Sequence, residues 1–295
     1  MPELPEVETV RRGLAPVMEG AVIERLELRR ADLRFPFPED FEAIATGRTV
    51  ISMGRRAKYM LADIDDGNVI IMHLGMSGSF RIEDNAEYTP GGFHHARSRL
   101  QAHDHVVFHL RTQARKPARV IYNDPRRFGF MLLSPRNTLA QHPSFVGLGV
   151  EPVGNAFDAE TLAVKFVGRR TPLKAALLDQ RIIAGLGNIY VCEALWRSGM
   201  SPKRKAGTLV RRNGAPTPRL SELVTNIRDV ISEAIEAGGA SLRDHAKTDG
   251  TMGYFQHRFA AYGRENESCA RAGCSGTIDR IVQSGRSTYY CPKCQ

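Results

Sequence analysis

The chain has 295 residues, enough for one large domain or two to three ordinary ones with their own cores. A composition of 42% hydrophobic and 25% charged residues excludes a wholly disordered chain, and no apolar run approaches the roughly 18 residues that a membrane-spanning helix needs. Lys and Arg number 41 against 32 Asp and Glu, and the resulting net charge of +9 favours a polyanionic partner, nucleic acid or an acidic membrane surface.

Taken in chain order, Val7, Val10, Leu14 and Val17 recur at helical spacing, with Pro5 and acidic residues in the first turn and Gly20 as a stop. Glu3, Glu6 and Glu8 stand where a secretory leader would be basic and then apolar, so a cytoplasmic protein is expected. From about Ala21 to Ser134 the pattern predicts short strands near Leu26/Leu28, Tyr59/Leu61, 69–74, 106–110, 119–122 and 128–133, with no helix between them. Such a run argues for an antiparallel sandwich or barrel. The polar, Gly/His/Arg-rich stretch from Ile82 to His105 reads as a loop. Beyond a Pro/Gly-punctuated segment the period becomes helical. Asp158 can cap a short helix, Thr171-Pro172 reads as N-cap and first helical residue, and Gly187-Asn188 opens a helix that Gly199 closes. Thr217-Pro218 opens the clearest helix, with Leu220, Leu223, Val224, Ile227, Val230, Ile231 and Ile235 on one face and Gly238-Gly239 at its end. Lys203 to Pro216 reads as a basic loop, and a cysteine module follows Tyr262. The fold class is therefore α+β and multidomain: a β-rich N-terminal half, a helical middle and a metal-stapled tail.

The cysteines carry the most specific signal. Cys269-x4-Cys274 and Cys291-x2-Cys294, separated by sixteen residues, form two knuckles that each deliver two sulfurs, the donor set of one structural tetrahedral Zn²⁺. In a reducing compartment a metal cluster is favoured over disulfides. Thr277-Ile278 and Thr288-Tyr289-Tyr290 are expected to pair as strands, leaving Arg286 near the tip. Cys192, inside a predicted helix, reads as a small buried hydrophobe.

The N-terminus offers a second chemistry. Removal of Met1 would leave Pro2 with a free secondary amine, and α-amino groups ionise at about 7.7–8. Such an amine condenses with a sugar C1′ to a charged iminium and is a good covalent catalyst. Pro and Glu are also ordinary first-turn residues, so the same stretch reads as a plain helix lead-in. Basic clusters at Arg55-Arg56-Ala57-Lys58, Arg126-Arg127, Arg169-Arg170 with Lys174, and Lys203 to Lys205 suit phosphate tracking. Met76 and Phe128 each sit in a turn beside glycine, where they are either core residues or apolar wedges that fill a stack after a base is extruded. Gly185-Leu186-Gly187 has no preceding strand, so it is not read as a dinucleotide site. The histidines at 94, 95, 103, 105 and 109 lack ligand spacing.

Several motifs recur in order over the whole chain. They are Met1-Pro2-Glu3-Leu4-Pro5-Glu6-Val7-Glu8-Thr9-Val10, Arg55-Arg56-Ala57-Lys58-Tyr59, His73-Leu74-Gly75-Met76-Ser77-Gly78-Ser79, Asp124-Pro125-Arg126-Arg127-Phe128-Gly129, Gly185-Leu186-Gly187-Asn188-Ile189-Tyr190 and Tyr262-Gly263-Arg264 before the zinc tail. In these the sequence closely resembles the bacterial formamidopyrimidine-DNA glycosylases. The resemblance implies a catalytic β-sandwich over 1–136, a helix–two-turns–helix DNA-binding domain over 137–260 and a zinc finger over 261–295. It implies a monomeric bifunctional glycosylase and AP lyase that removes oxidised purines from double-stranded DNA, with no membrane partner. By the same resemblance Pro2 is the nucleophile, Glu3 the proton donor to the sugar, and Lys58 and Arg286 serve the β- and δ-eliminations. Phosphate positioning is the physically safer role for Arg286, since a guanidinium is a poor proton donor. Met76, Arg126 and Phe128 match void-filling residues. His73, Asn188 and Tyr262 match phosphate contacts, while His103 and Arg169 match further DNA contacts. Thr248 to Phe255 matches a loop over the extruded base.

The chain departs from the family pattern in its four-residue first zinc knuckle, in a longer and more basic stretch over 85–101, and in Gly168-Arg169 where lysines are common. Two other readings compete: an endonuclease VIII-like glycosylase for oxidised pyrimidines, which usually begins Pro-Glu-Gly-Pro, and a non-catalytic DNA-binding zinc protein.

Overall fold

The structure is a computed structural model that describes residues 2–84, 101–240 and 254–295. These residues form two compact units: one takes the chain up to Val146 with 237–240 and 254, the other takes Gly147–Glu236 and Phe255–Gln295. Among the described residues no helix is long and apolar enough to cross a membrane.

The first unit opens with helix α1 (Leu4–Met18). Leu4, Val7, Val10, Leu14 and Met18 form its fully buried stripe, with Val17 only half-buried, so Met18 closes the apolar face. Glu3 and Glu6 form a capping box at its start, in which the buried Glu6 carboxylate accepts the Glu3 N–H at 2.8 Å; the same carboxylate also accepts the N–H of the distant Ala240 at 2.8 Å. Strands follow as β1 (Val22–Leu28), β2 (Val50–Arg56), β3 (Tyr59–Ile64), β4 (Asn68–His73), β5 (Ser79–Asp84), β6 (Asp104–Arg111), β7 (Pro117–Asn123) and β8 (Phe130–Pro135). They make two four-stranded antiparallel sheets, ordered β1-β6-β7-β5 and β2-β3-β4-β8. One apolar core joins α1 to inward residues of both sheets, among them Ile23, Met60, Ile70, Phe108 and Tyr122, which is the predicted sandwich. Strand β4 reads as an unbroken apolar run because Val69 and Ile71, on its other face, are buried as well.

Two expectations for this unit are corrected. A short helix, α2 (Phe41–Ala45), lies between β1 and β2; it is a single apolar turn anchored by buried Phe41 and Ala45, too short to show a helical period. The expected loop from Ile82 to His105 is narrower, because β5 runs to Asp84 and a 3₁₀ turn, Gln101–His103, leads into β6. The remainder of that loop, and most of the 248–255 stretch, lie outside the described residues.

The second unit holds α3 (Ala159–Phe166), α4 (Leu173–Leu178), α5 (Asn188–Arg197) and α6 (Pro218–Glu236). Asp158 caps α3 as expected, its Oδ1 accepting the Thr161 N–H at 2.7 Å. Pro172, with extended ψ, is the N-cap of α4, one residue later than predicted. Ala234 rather than Ile235 completes the buried face of α6. The tail hairpin pairs β9 (Asp279–Gln283) with β10 (Arg286–Tyr290). Thr277-Ile278 therefore does not pair with Thr288 to Tyr290; instead Ile278 exchanges backbone bonds with Asn266 and Glu267. The two-residue turn Ser284-Gly285 has both φ positive, 50° and 72°, matching the twist of a tight hairpin and making Arg286 the first residue after it.

Around α1 the charges form a knot. The Glu8 carboxylate accepts from Arg11 Nη2 and Arg12 Nε at 2.8 Å and from Arg55 Nε at 3.2 Å. Burial alone would raise this carboxyl, but the bonds from Arg11 and Arg12 and the charges of Arg11 and Arg55 outweigh it and hold it at about 2. A carboxyl depressed on folding stabilises above its unfolded value and ceases to do so as the pH falls through its folded one. The contribution of Glu8 to stability is expected to be constant from pH 7 to about 5 and to be lost between about pH 4.5 and 2. In Glu8→Gln the neutral-pH stability drops by on the order of 3 kcal/mol and the acid slope shrinks, which calorimetry across pH will check.

Candidate nucleic-acid interface and metal centre

In the first unit Pro2 and Glu3 are buried at the start of α1, directly before its first turn. Lys58 is buried in the two-residue connection between β2 and β3, next to Ala57 at a φ of 52°. The Arg55 guanidinium bonds both Glu8 and the Ala57 carbonyl, the latter at 2.9 Å. The same side chain thus holds the Lys58 turn to α1. Arg55 is accordingly a structural residue and not part of a solvent-facing basic cluster.

His73, at the end of β4, pairs with Tyr59 across the sheet and stacks on Phe130 with centroids 4.9 Å apart and planes 9° from parallel. Burial lowers its pKa to about 4, with the charges of Lys58 and Arg34 acting in the same direction. Its Nδ1 accepts the Gly75 N–H at 3.0 Å, so the ring proton of the neutral imidazole resides on Nε2, which is left as a donor. A phosphate contact by this donor needs no proton uptake.

The two glycine turns exclude the core reading of Met76 and Phe128. Met76 is 36% and Phe128 44% exposed, so neither belongs to the core. Gly75, at a φ of 62°, lets the first turn press on the second: a Cβ there would lie 2.3 Å from the Phe128 carbonyl carbon and the Gly129 nitrogen. The Arg126 guanidinium lies 4.8 Å from the Phe128 ring centroid. His103, at the end of the 3₁₀ turn, accepts the Asp124 N–H on its carbonyl. Met76, His103, Arg126 and Phe128 are thus brought together on one unit. The sequence reading missed the residue that gathers them, Asp124; its only signal was its place at the head of the Asp124-Pro125-Arg126-Arg127 motif.

In the second unit Arg286 is exposed beside the hairpin turn. Asn188, the first residue of α5, donates its side-chain amide to the Ser287 carbonyl at 2.9 Å, so that amide fastens the hairpin to α5. Lys174 is fully buried and donates to Ser287 O at 3.0 Å and Thr288 Oγ1 at 2.7 Å. It is not part of the basic surface the sequence suggested. Tyr262 is held by its backbone N–H on Glu193 and by edge contacts of its ring with Phe259 and Tyr289. Arg169 bonds back to the Lys165 carbonyl at the end of α3.

The four cysteine Sγ atoms lie within 4.8 Å of one another, with Cys269–Cys294 and Cys274–Cys291 at 3.7 Å. A disulfide needs about 2.05 Å, whereas tetrahedral zinc with Zn–S of about 2.3 Å sets sulfur–sulfur edges of about 3.8 Å. The residues fit one structural Zn²⁺. The indole N–H of Trp196 donates to Cys269 Sγ at 3.4 Å and the Gly276 N–H to Cys274 Sγ at 3.4 Å, orienting two ligands. The four-residue knuckle keeps both its sulfurs in the cluster, and Arg271, within it, donates to the Trp196 carbonyl and lies over the Trp196 ring. No second group of His, Cys, Asp or Glu suited to a metal occurs among the described residues.

Comparison with known proteins decides the lineage. The formamidopyrimidine-DNA glycosylase N-terminal domain matches residues 1–131, the formamidopyrimidine-DNA glycosylase H2TH domain matches 148–246, and a zinc finger found in FPG and IleRS matches 266–295. The formamidopyrimidine-DNA glycosylase of Rhizobium meliloti (strain 1021) is 62% identical over 301 residues, covering all of both chains. The chain belongs to the formamidopyrimidine-DNA glycosylase family. The formamidopyrimidine-DNA glycosylase of Rhizobium etli (strain CIAT 652) is 63% identical over 296 residues, again over all of both chains. Among solved structures, the MutM (Fpg) protein of Thermus thermophilus shares 35% identity at a TM-score of 0.80, covering 100% of this chain and 98% of that one. Lactococcus lactis Fpg in complex with DNA containing N7-benzyl-Fapy-dG shares 30% identity at a TM-score of 0.83, covering 100% and 99%.

Two outcomes follow from this geometry. Stripping zinc with a strong chelator is expected to abolish hydrogen-exchange protection in β9 and β10 while α6 keeps its protection, because only the hairpin depends on the ion for its fold. Nitrogen NMR of His73 is expected to show the Nε2–H tautomer with no titration between pH 8 and about 5; a ring that protonates near 6.5 contradicts the buried environment described above.

Proposed function

We propose that this chain is a bifunctional DNA glycosylase and AP lyase of base excision repair, excising oxidised purines such as 8-oxoguanine and formamidopyrimidines from double-stranded DNA. The observation that carries this reading is the pairing, on one unit, of a buried Pro2-Glu3 start and Lys58 with two exposed tips, Met76 and Phe128. A DNA-binding protein without chemistry has no use for the first group, and an enzyme acting on a base inside a duplex needs the second.

Removal of Met1 exposes the Pro2 nitrogen, which attacks C1′ of the everted nucleotide. The glycosidic bond breaks with its electron pair leaving on the base, which takes up the proton that the Pro2 nitrogen loses. Glu3 gives a proton to the ring oxygen as the sugar opens, and the nitrogen lone pair completes the iminium. Loss of a C2′ proton expels the 3′ phosphate, a step assigned to Lys58; loss of the 5′ phosphate follows, with Arg286 positioning that phosphate. Water then hydrolyses the imine and returns Pro2. His73, Asn188, Tyr262, His103 and Arg169 hold phosphates around the lesion, while Met76, Arg126 and Phe128 fill the vacated stack. The Zn²⁺ held by Cys269, Cys274, Cys291 and Cys294 gives the hairpin its fold. The reading divides the chain into a catalytic sandwich over 1–136, a DNA-gripping helical domain over 137–260 and a zinc finger over 261–295, acting as a monomer in the bacterial cytoplasm at the nucleoid.

Borohydride reduction during turnover on duplex bearing 8-oxoguanine opposite cytosine is expected to leave a covalent protein–DNA adduct, mapped by mass spectrometry to Pro2. Pro2→Gly and protein retaining Met1 are expected to lose the adduct and strand cleavage by at least about a thousandfold. An adduct on a lysine, or cleavage by a blocked N-terminus, overturns the mechanism; preference for thymine glycol overturns the substrate class.

A further inference from the structure

One buried carboxylate is left unused by the proposed chemistry. Asp124 is fully buried, and among the described residues each of its carboxylate bonds comes from a neutral donor. Its Oδ1 accepts the Ser77 hydroxyl at 2.6 Å and the Arg126 N–H at 3.3 Å, while its Oδ2 accepts the Gly129 N–H at 2.8 Å and the Tyr122 hydroxyl at 3.2 Å. Its backbone N–H donates to the His103 carbonyl at 3.0 Å, and its own carbonyl accepts the Arg127 N–H at 3.2 Å and meets His105 Nε2 at 3.0 Å.

These donors have a pattern. Ser77 directly follows Met76, and Arg126 and Gly129 bracket Phe128. Ser77 and Asp124 are 47 residues apart in sequence, yet both turns share this one acceptor. The packing leaves them no freedom: a Cβ on Gly78 or Gly129 would lie 2.3 Å or 1.8 Å from the Tyr122 hydroxyl oxygen. Burial, with the charge and bond of Asp124 adding to it, pushes the Tyr122 phenol well above its usual value, so it remains a donor at any physiological pH. A buried carboxylate without a cation is an expensive way to build a core, since an apolar side chain fills the same space without desolvating a charge. What it supplies is geometry: several directed bonds that fix two exposed tips relative to each other.

We propose that Asp124, with Ser77 and Tyr122, is a positioning centre for base eversion, locking the two turns into one element so that Met76, Arg126 and Phe128 enter the stack together. The proposal rests on the wedge reading given under Proposed function. It assigns Asp124 to the eversion step and not to bond breaking. In Asp124→Asn one acceptor becomes an NH₂ facing a donor, and in Ser77→Ala or Tyr122→Phe one tether is lost.

The test compares two substrates under single turnover. On duplex carrying 8-oxoguanine opposite cytosine, excision is expected to slow about a hundredfold in Asp124→Asn and about tenfold in Ser77→Ala and Tyr122→Phe. On a single-stranded oligonucleotide with a preformed abasic site, which has no partner base and no stack to fill, strand cleavage and borohydride trapping are expected to stay within about twofold of the parent. A 2-aminopurine beside the lesion is expected to report slower stack opening in the same variants. Equal losses on both substrates, or no loss on duplex, overturn the proposal. If Asp124→Asn fails to fold, the two milder variants decide by the same criterion. Met76→Ala with Phe128→Ala separates the two levels: parental duplex rates there refute the wedge reading itself, whereas slow rates there with parental rates in the Ser77 and Tyr122 variants refute only the positioning role.

Discussion

Burial of the first helix against the sandwich is the constraint on which the rest depends. A helix whose first residues are to carry the chemistry proposed above cannot be left to fray, and here Leu4, Val7, Val10, Leu14 and Met18 are all buried. Two of the acids that would otherwise oppose that burial are well bonded. Glu6 takes two backbone donors, and Glu8 takes three arginines, one of which also holds the Lys58 turn. Apolar packing supplies the affinity between helix and sheets, and the Glu8–Arg55 bond supplies the register between α1 and the turn that carries Lys58.

The positive charge of the chain divides by location into two tasks. Lys174 is buried and Arg55 partly so, and both spend their donors on carbonyls, a carboxylate and a hydroxyl within their own unit. Arg126, Arg127 and Arg286 are exposed at turns, where a guanidinium remains hydrated and able to exchange counterions for phosphate. His73 is a third case: its neutrality makes it a directional donor among cations.

The zinc module shows how a short tail gains an ordered hairpin. The residues from 266 onward bury few side chains, chiefly Ile278, Tyr290 and the cysteines, too little apolar area to fold alone. The ion cross-links both ends of the segment, and Lys174, Asn188, Trp196 and Arg271 connect it to α4 and α5. Arg286 is thereby presented from a rigid strand and not from a free terminus.

The sequence by itself determined the element types, the family and the metal. Helical periods at α1 and α6, turn signals between strands, capping at Asp158 and the cysteine spacing each depend on residues close together in the chain, so they are legible one segment at a time. It also marked Pro2, Lys58, Met76, Phe128 and the four cysteines, because motif order carries that information. It missed α2, whose single turn shows no period, and set the tail hairpin two residues early, since register is decided by cross-strand partners. Which charges are structural, whether Met76 and Phe128 are inside or outside, and which groups meet at Asp124 were decided only by tertiary structure. Burial and hydrogen bonding are properties of residues brought together from distant parts of the chain: Ser77 and Asp124 meet only after β4 to β8 have paired, and no local pattern records that meeting.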